Sequence, residues 1–278
     1  MEQPVTFGKE NSLVGILSLP DNSTLTREVG VICLNAGLLH RVGPFRMNVE
    51  MARLLAKQGY KTLRFDSSSI GDSGTANDEL DYLDKVTQDI ESAVDLMVSR
   101  TGLNRFAVFG LCTGADNAHR AMINDKRFVG GIFIDGYSYP SFKFRIKRYL
   151  PVLCSRRRLI GVISRAGNSL KRKILNIQKP ETMEGDSGLF IWHLPDKRVV
   201  ETEMKMLVDR GAKLFYIFTG GASEVYNYEG QFFDSMPFLR YYDDKFTVLL
   251  NQNADHTFSL YHDRLWLYDK VLEWLDSV

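Results

Sequence analysis

Cys112 is flanked by two glycines in Gly110-Leu111-Cys112-Thr113-Gly114. The run lies between an apolar stretch, Arg105–Phe109, and a helical pattern, Thr113–Asn124. A nucleophile in a G-x-S-x-G turn has this context, with Ser at the centre. The spacing has a physical reason. The central residue occupies a sharp, strained turn that pushes its side chain out of the sheet. The residues two before and two after must be tiny, because the helix packs closely on the strand. Gly110 and Gly114 meet that demand. The same turn places Cys112 at a helix N-terminus, where partial positive charge favours a thiolate. Of the other cysteines, Cys33 lies inside an apolar strand and Cys154 in a basic segment, and both read as inert.

A nucleophilic thiol needs a base within hydrogen-bond reach. Among five histidines, His256 sits in Asn253-Ala254-Asp255-His256-Thr257-Phe258, after the last strand pattern and before the last helix. The chain order of nucleophile, acid and histidine suits it. His119 reads as structural, His262 as a surface or helix-start residue, and His40 as a residue of the site mouth. The imidazole in turn needs an acid to fix its tautomer. Thr219-Gly220-Gly221-Ala222-Ser223-Glu224 follows the strand Leu214–Phe218, and counting from Gly221 makes Glu224 the first choice. Asp135, ending the strand Val129–Ile134, is the alternative. Asp255 is an awkward partner for its own neighbour. A tetrahedral intermediate needs two backbone N–H donors. Thr113 supplies one. Leu38 supplies the other, from the loop Asn35-Ala36-Gly37-Leu38-Leu39, with Gly37 as runner-up.

The elements that must position these groups follow from periodicity. Val5–Phe7 and Leu13–Leu19 read as a hairpin. Val29–Leu34, Lys61–Phe65, Arg105–Phe109, Val129–Ile134, Leu214–Phe218 and Phe246–Leu250 read as strands. Helices are predicted over Phe45–Gln58, Leu83–Arg100, Thr113–Asn124, Val199–Asp209 and Leu260–Leu275. Strands alternating with helices predict an α/β fold with a mostly parallel sheet and helices on both faces. The alternation breaks between Ser138 and Pro195. Residues 1–137 and 196–278 then form the core, and 138–195 an inserted helical cap.

Charge supports that division. The 278 residues carry 35 basic and 34 acidic side chains. Twelve of the basic ones fall between Gly136 and Pro180, where there is no Asp or Glu. The remainder, 23 basic against 34 acidic residues, has a net charge of −11. Nucleic acid is a poor partner for such a body. The basic segment mixes Phe142, Phe144, Ile146, Tyr149 and Leu150 with its cations, which suits an acidic acyl-carrier protein or a coenzyme A thioester. Peripheral contact with an anionic membrane is a further expectation. No apolar run is long enough to span a bilayer and the N-terminus lacks a signal pattern. Three cysteines fit a reducing, cytoplasmic setting. No zinc spacing and no phosphate-binding glycine loop occurs. Gly71-Asp72-Ser73-Gly74 reads as a structural loop after the strand ending at Phe65.

Five stretches together resemble the α/β-hydrolase superfamily: VICLNAGLLHRVGPFR, LRFDSSSIGDSG, FGLCTGADNA, LFYIFTGG and NADHTFSL. They are similar to serine-aminopeptidase-like and exosortase-associated hydrolases, some of which carry Cys in the elbow. Dienelactone hydrolase, with a Cys-His-Asp triad, is a more distant likeness. The resemblance implies an eight-stranded, mostly parallel sheet, no cofactor, a nucleophile at Cys112, a base at His256 and, across a gap, an acid at Glu224. Ester or thioester hydrolysis or acyl transfer through a Cys112 acyl-enzyme is the function expected. A protein that keeps the fold to bind an acyl ligand or an anionic partner, without catalysis, is the alternative.

Overall fold

The structure is a computed structural model, and it describes residues 1–75, 80–153 and 194–278. Eight strands form one sheet in the order β1-β2-β4-β3-β5-β6-β7-β8. They are β1 (Glu2–Phe7), β2 (Leu13–Ser18), β3 (Val29–Cys33), β4 (Thr62–Asp66), β5 (Arg105–Leu111), β6 (Phe128–Ile134), β7 (Lys213–Thr219) and β8 (Phe246–Asn251). β1 and β2 pair antiparallel, as do β2 and β4; every pairing from β4 onward through β3 to β8 is parallel. This is the mostly parallel sheet that the alternation predicts.

β3 and, after Arg105, β5 are continuous apolar runs, and β4 (TLRFD) is buried along its whole length, because both faces of the sheet are covered. Successive side chains alternate between two cores. Val31, Cys33, Ala107, Phe109, Phe215 and Ile217 pack with α1 (Met47–Lys57) and the last helix, α7 (Tyr261–Leu275). Ile32, Val108, Phe133 and Tyr216 pack on the other face with α2 (Tyr82–Thr101), α3 (Thr113–Asn124) and α5 (Lys197–Asp209). Asp81 caps α2 by accepting from the Asp84 N–H at 2.9 Å, and Gly102 ends it at φ 71°.

The helix predicted from Phe45 starts at Met47, because Pro44–Arg46 form a separate tight turn with Phe45 and Arg46 at positive φ. A short helix, α6 (Gln231–Ser235), and a 3₁₀ stretch, Pro237–Lys245, fill the connection from β7 to β8. Of the segment expected as a cap, α4 (Phe142–Leu153) is a helix. Residues 154–193, with Cys154 and His193, lie outside the described residues. No helix among the described residues is long and apolar enough to cross a membrane.

Candidate active site

Cys112, Asp135, Thr219, His256 and the loop after β3 lie at the carboxyl ends of β3, β5, β6, β7 and β8, where an open parallel sheet leaves its crevice. Cys112 follows β5 directly and takes φ 57° and ψ −124°. A non-glycine residue held there stores about 1–3 kcal/mol of strain, kept only because its surroundings over-determine it. Those surroundings are visible. The Cys112 N–H donates to the Ile134 carbonyl at 3.0 Å, and the Cys112 carbonyl accepts from the Ala115 N–H at 2.8 Å. A Cβ at Gly110 would stand 2.0 Å from the Gly114 carbonyl oxygen, and one at Gly114 would stand 2.5 Å from that of Asn35. The two flanking glycines are therefore required by close backbone approach, as their spacing implies. Cys112 is half-buried, whereas Cys33 is fully buried and its thiol pKa is pushed up to about 12 by desolvation.

His256 lies in the loop after β8, and its Nδ1 is 2.7 Å from Oδ2 of Asp135. Asp135 ends β6 at φ 48° with its side chain 3% exposed. Its carboxylate also accepts from the Thr219 N–H at 2.8 Å and the Thr219 hydroxyl at 2.7 Å. Three donors thus hold one buried carboxylate, and Thr219, which nothing in the sequence singled out, supplies two of them. The Asp135 hydrogen bond is the main cause, and a hydrogen bond with Cys112 the second, of a His256 pKa raised to about 10; burial opposes both. With Asp135 on Nδ1, the remaining ring nitrogen is the one free to face the thiol.

Glu224 is not at this site. Its side chain is 85% exposed, and among the described residues it pairs with Arg148, 3.9 Å away. The expectation that it orients the histidine is corrected here in favour of the alternative, Asp135. The physical reason lies in the glycines that suggested Glu224. A Cβ on Gly220 would stand 2.1 Å from the Gln252 carbonyl oxygen, and one on Gly221 would stand 2.5 Å from the His256 nitrogen. These glycines let the β7 end pack against the histidine loop. They do not introduce an acid, and the chain turns away through Gly220–Ala222. The readable signal for Asp135 was Asp-Gly at the end of the strand beside the cysteine strand.

The histidine loop is built by Asp255. Its carboxylate accepts from the Thr257 N–H at 2.8 Å, the Thr257 hydroxyl at 2.7 Å and the Ser259 N–H at 3.1 Å, and it also takes the Ser259 hydroxyl. The Ser259 and Thr257 hydrogen bonds hold its pKa down at about 2.

The loop after β3 comes up to the elbow. The Gly37 N–H donates to Thr113 Oγ1 at 2.7 Å, which ties the two expected N–H donor segments together. Thr113 is the first residue of α3, so its N–H has no intrahelical acceptor. Leu38 sits inside a turn closed by Leu39 N–H to Ala36 carbonyl at 3.0 Å, its side chain exposed. Buried Asn35 and Asp66 clamp this loop. Asn35 Nδ2 donates to the Leu39 carbonyl at 2.8 Å, and Asp66 Oδ1 accepts from the Arg41 N–H at 2.5 Å.

His40, Asp66 and Asp72 present ligand atoms within 4.8 Å of one another, the one such group among the described residues. Arg41 occupies the space between the two carboxylates, paired with Asp66 and 2.9 Å from Asp72. A cation is already in place, so this cluster reads as a structural tie and not as a metal centre. His40 belongs to it. Ser73 also serves the loop, donating to the Asp66 carbonyl at 2.6 Å and accepting from the Val14 N–H at 2.9 Å. His119 is buried against Glu203 at 3.0 Å, and His262 is exposed.

Comparison with known proteins adds the fold. The Pyrococcus furiosus esterase Pf2001 superposes with a TM-score of 0.59 at 19% identity, covering 100% of this chain and 90% of that one. The chain has the α/β-hydrolase fold. An esterase domain from Rhodothermus marinus gives 0.57 at 14% identity, with 99% and 97% covered. A lid-less α/β serine hydrolase from Xanthomonas campestris gives 0.54 at 14%, with 96% and 90% covered. By sequence, the uncharacterized protein YcjY of Escherichia coli (strain K12) is 26% identical over 155 residues. The chain spans about half the length of that relative, 49%. No family model matches.

Proposed function

We propose that the protein is an esterase-type acyl hydrolase or acyltransferase of the α/β-hydrolase superfamily that works through a Cys112 acyl-enzyme. One observation carries the reading: a strained elbow cysteine at the same strand ends as a histidine whose Nδ1 is fixed by a buried carboxylate and whose pKa is raised by that carboxylate first and by Cys112 second. The neighbouring structures described as esterases and serine hydrolases support the reaction class.

The steps balance without a cofactor. His256 takes the proton of the Cys112 thiol. The Cys112 sulfur attacks the acyl carbon, a C–S bond forms, and the carbonyl π pair moves to oxygen. The Thr113 and Leu38 N–H groups receive that oxyanion. The intermediate collapses, the bond to the leaving group breaks, and His256 returns a proton to it. Water or an acceptor then gives its proton to His256 and attacks the thioester, and Cys112 departs as thiolate. A thiolate nucleophile expels another thiolate more readily than an alkoxide, so thioesters and activated esters are the substrate class. The half-buried free thiol suits the reducing cytoplasm.

Steady-state turnover of acyl-N-acetylcysteamine thioesters and p-nitrophenyl esters tests this. Cys112→Ala and His256→Ala are expected to lose at least about 10³-fold in kcat/KM. Activity retained in Cys112→Ala would rule the mechanism out.

A further inference from the structure

Helix α4 turns four of its apolar residues away from the body. Phe144 is buried, while Phe142, Ile146, Tyr149 and Leu150 are 81%, 44%, 56% and 52% exposed. At helical spacing these four form one stripe roughly 100° wide, opposite Phe144. Exposed Arg145 borders the stripe on one flank, and exposed Lys143 and Lys147 border it on the other. A surface helix ordinarily points such a stripe inward. The helix begins shortly after Asp135 in the chain and lies against the segment that follows β7: Arg148 pairs with Glu224, and Asn227 Nδ2 donates to the Phe144 carbonyl at 3.4 Å.

We propose that this face docks a small acidic acyl-carrier protein that presents its thioester to Cys112, an inference that rests on the thioester reading above. An apolar stripe between two cationic flanks matches a partner with an apolar centre and an acidic rim, the usual anatomy of a protein interface. A second copy in symmetric contact would set Lys143, Arg145 and Lys147 against themselves. The chain's own segment 154–193 carries eight basic and three acidic residues, so it would add positive charge to the face. An anionic lipid surface matches the charge but brings no thioester to the sulfur.

The test uses the full chain and an acidic acyl-carrier protein carrying an octanoyl thioester, with octanoyl-N-acetylcysteamine as the neutral substrate. Arg145→Glu and the pair Phe142→Ser/Ile146→Ser alter only exposed groups. Each is expected to weaken carrier binding, read by anisotropy of labelled carrier, by about tenfold. Turnover of the neutral thioester should stay within about twofold of wild type. Carrier binding that is absent in wild type, or equal in wild type and variants, would overturn the docking face. So would variants that lose sedimentation with phosphatidylglycerol vesicles, or lose a dimer, while carrier binding is unchanged. If neither thioester is turned over but the variants still weaken carrier binding, the chemistry fails and the docking face stands.

Discussion

Asp135 carries the heaviest demand at the residue scale. It accepts from His256 and twice from Thr219 while almost fully buried. Removing its charge with Asp135→Asn should cost about 10³–10⁴-fold in kcat, the scale set by a histidine held in the wrong tautomer. Glu224→Gln should leave kcat within about twofold, since exposed substitutions away from a site are near neutral. The same pair of variants separates the two acids by titration. In the wild type, the proton resonances of His256 should titrate near pH 10. In Asp135→Asn that value should fall toward about 6.5, because the largest contribution is gone. The positions of Cys112 after β5 and of His256 in the loop after β8 were legible in sequence, because a glycine-flanked cysteine and a loop histidine carry local signals. The acid was not settled locally. Two strand ends offered a carboxylate, and only the path of the chain after β7 decides which one reaches the imidazole.

Loops, more than helices, aim the groups at the scale of elements. The end of β7 and the loop after β8 touch through Gly220 and Gly221 with no room for a side chain. Gly221→Ala must push the His256 backbone aside. A displacement of about 1 Å at a reacting group costs about 10²-fold in rate, so kcat should drop by that order while circular dichroism is unchanged. The clamp on the loop after β3 makes a parallel case. Asn35→Ala frees the Leu39 carbonyl and the Ser67 N–H from their partner. It should lower kcat by about tenfold or more with little change in KM, because an oxyanion donor acts mainly in the transition state. Most strands and helices were readable from period alone. Their ends shifted by a residue or two where Phe45 and Arg46 took positive φ before α1. The clamp was not readable, since it joins Asn35, past the end of β3, to Asp66, the last residue of β4.

For the whole molecule, the Asp135–His256 bond ties β6 to the loop leaving β8. The histidine pKa is raised in the folded state, so folding favours the charged imidazole. The stability it contributes is full below the unfolded value near 6.5 and is lost as pH rises through about 10. The difference in Tm between wild type and His256→Ala should therefore shrink steadily between those limits. A difference that grows with pH would contradict the sign. The mostly parallel sheet could be anticipated from alternating strands and helices, because parallel neighbours need crossover connections; the strand order could not be read that way. The outward stripe of α4 could not be, because sequence shows which helix face is apolar and not which way it points.

Intact mass spectrometry of the protein mixed briefly with an octanoyl thioester tests the central claim most directly. A covalent octanoyl adduct is predicted on the wild type, absent in Cys112→Ala and accumulating in Asp135→Asn, where deacylation is slowed. Turnover with the adduct unchanged in Cys112→Ala, or turnover with no dependence on Cys112 at all, would contradict it.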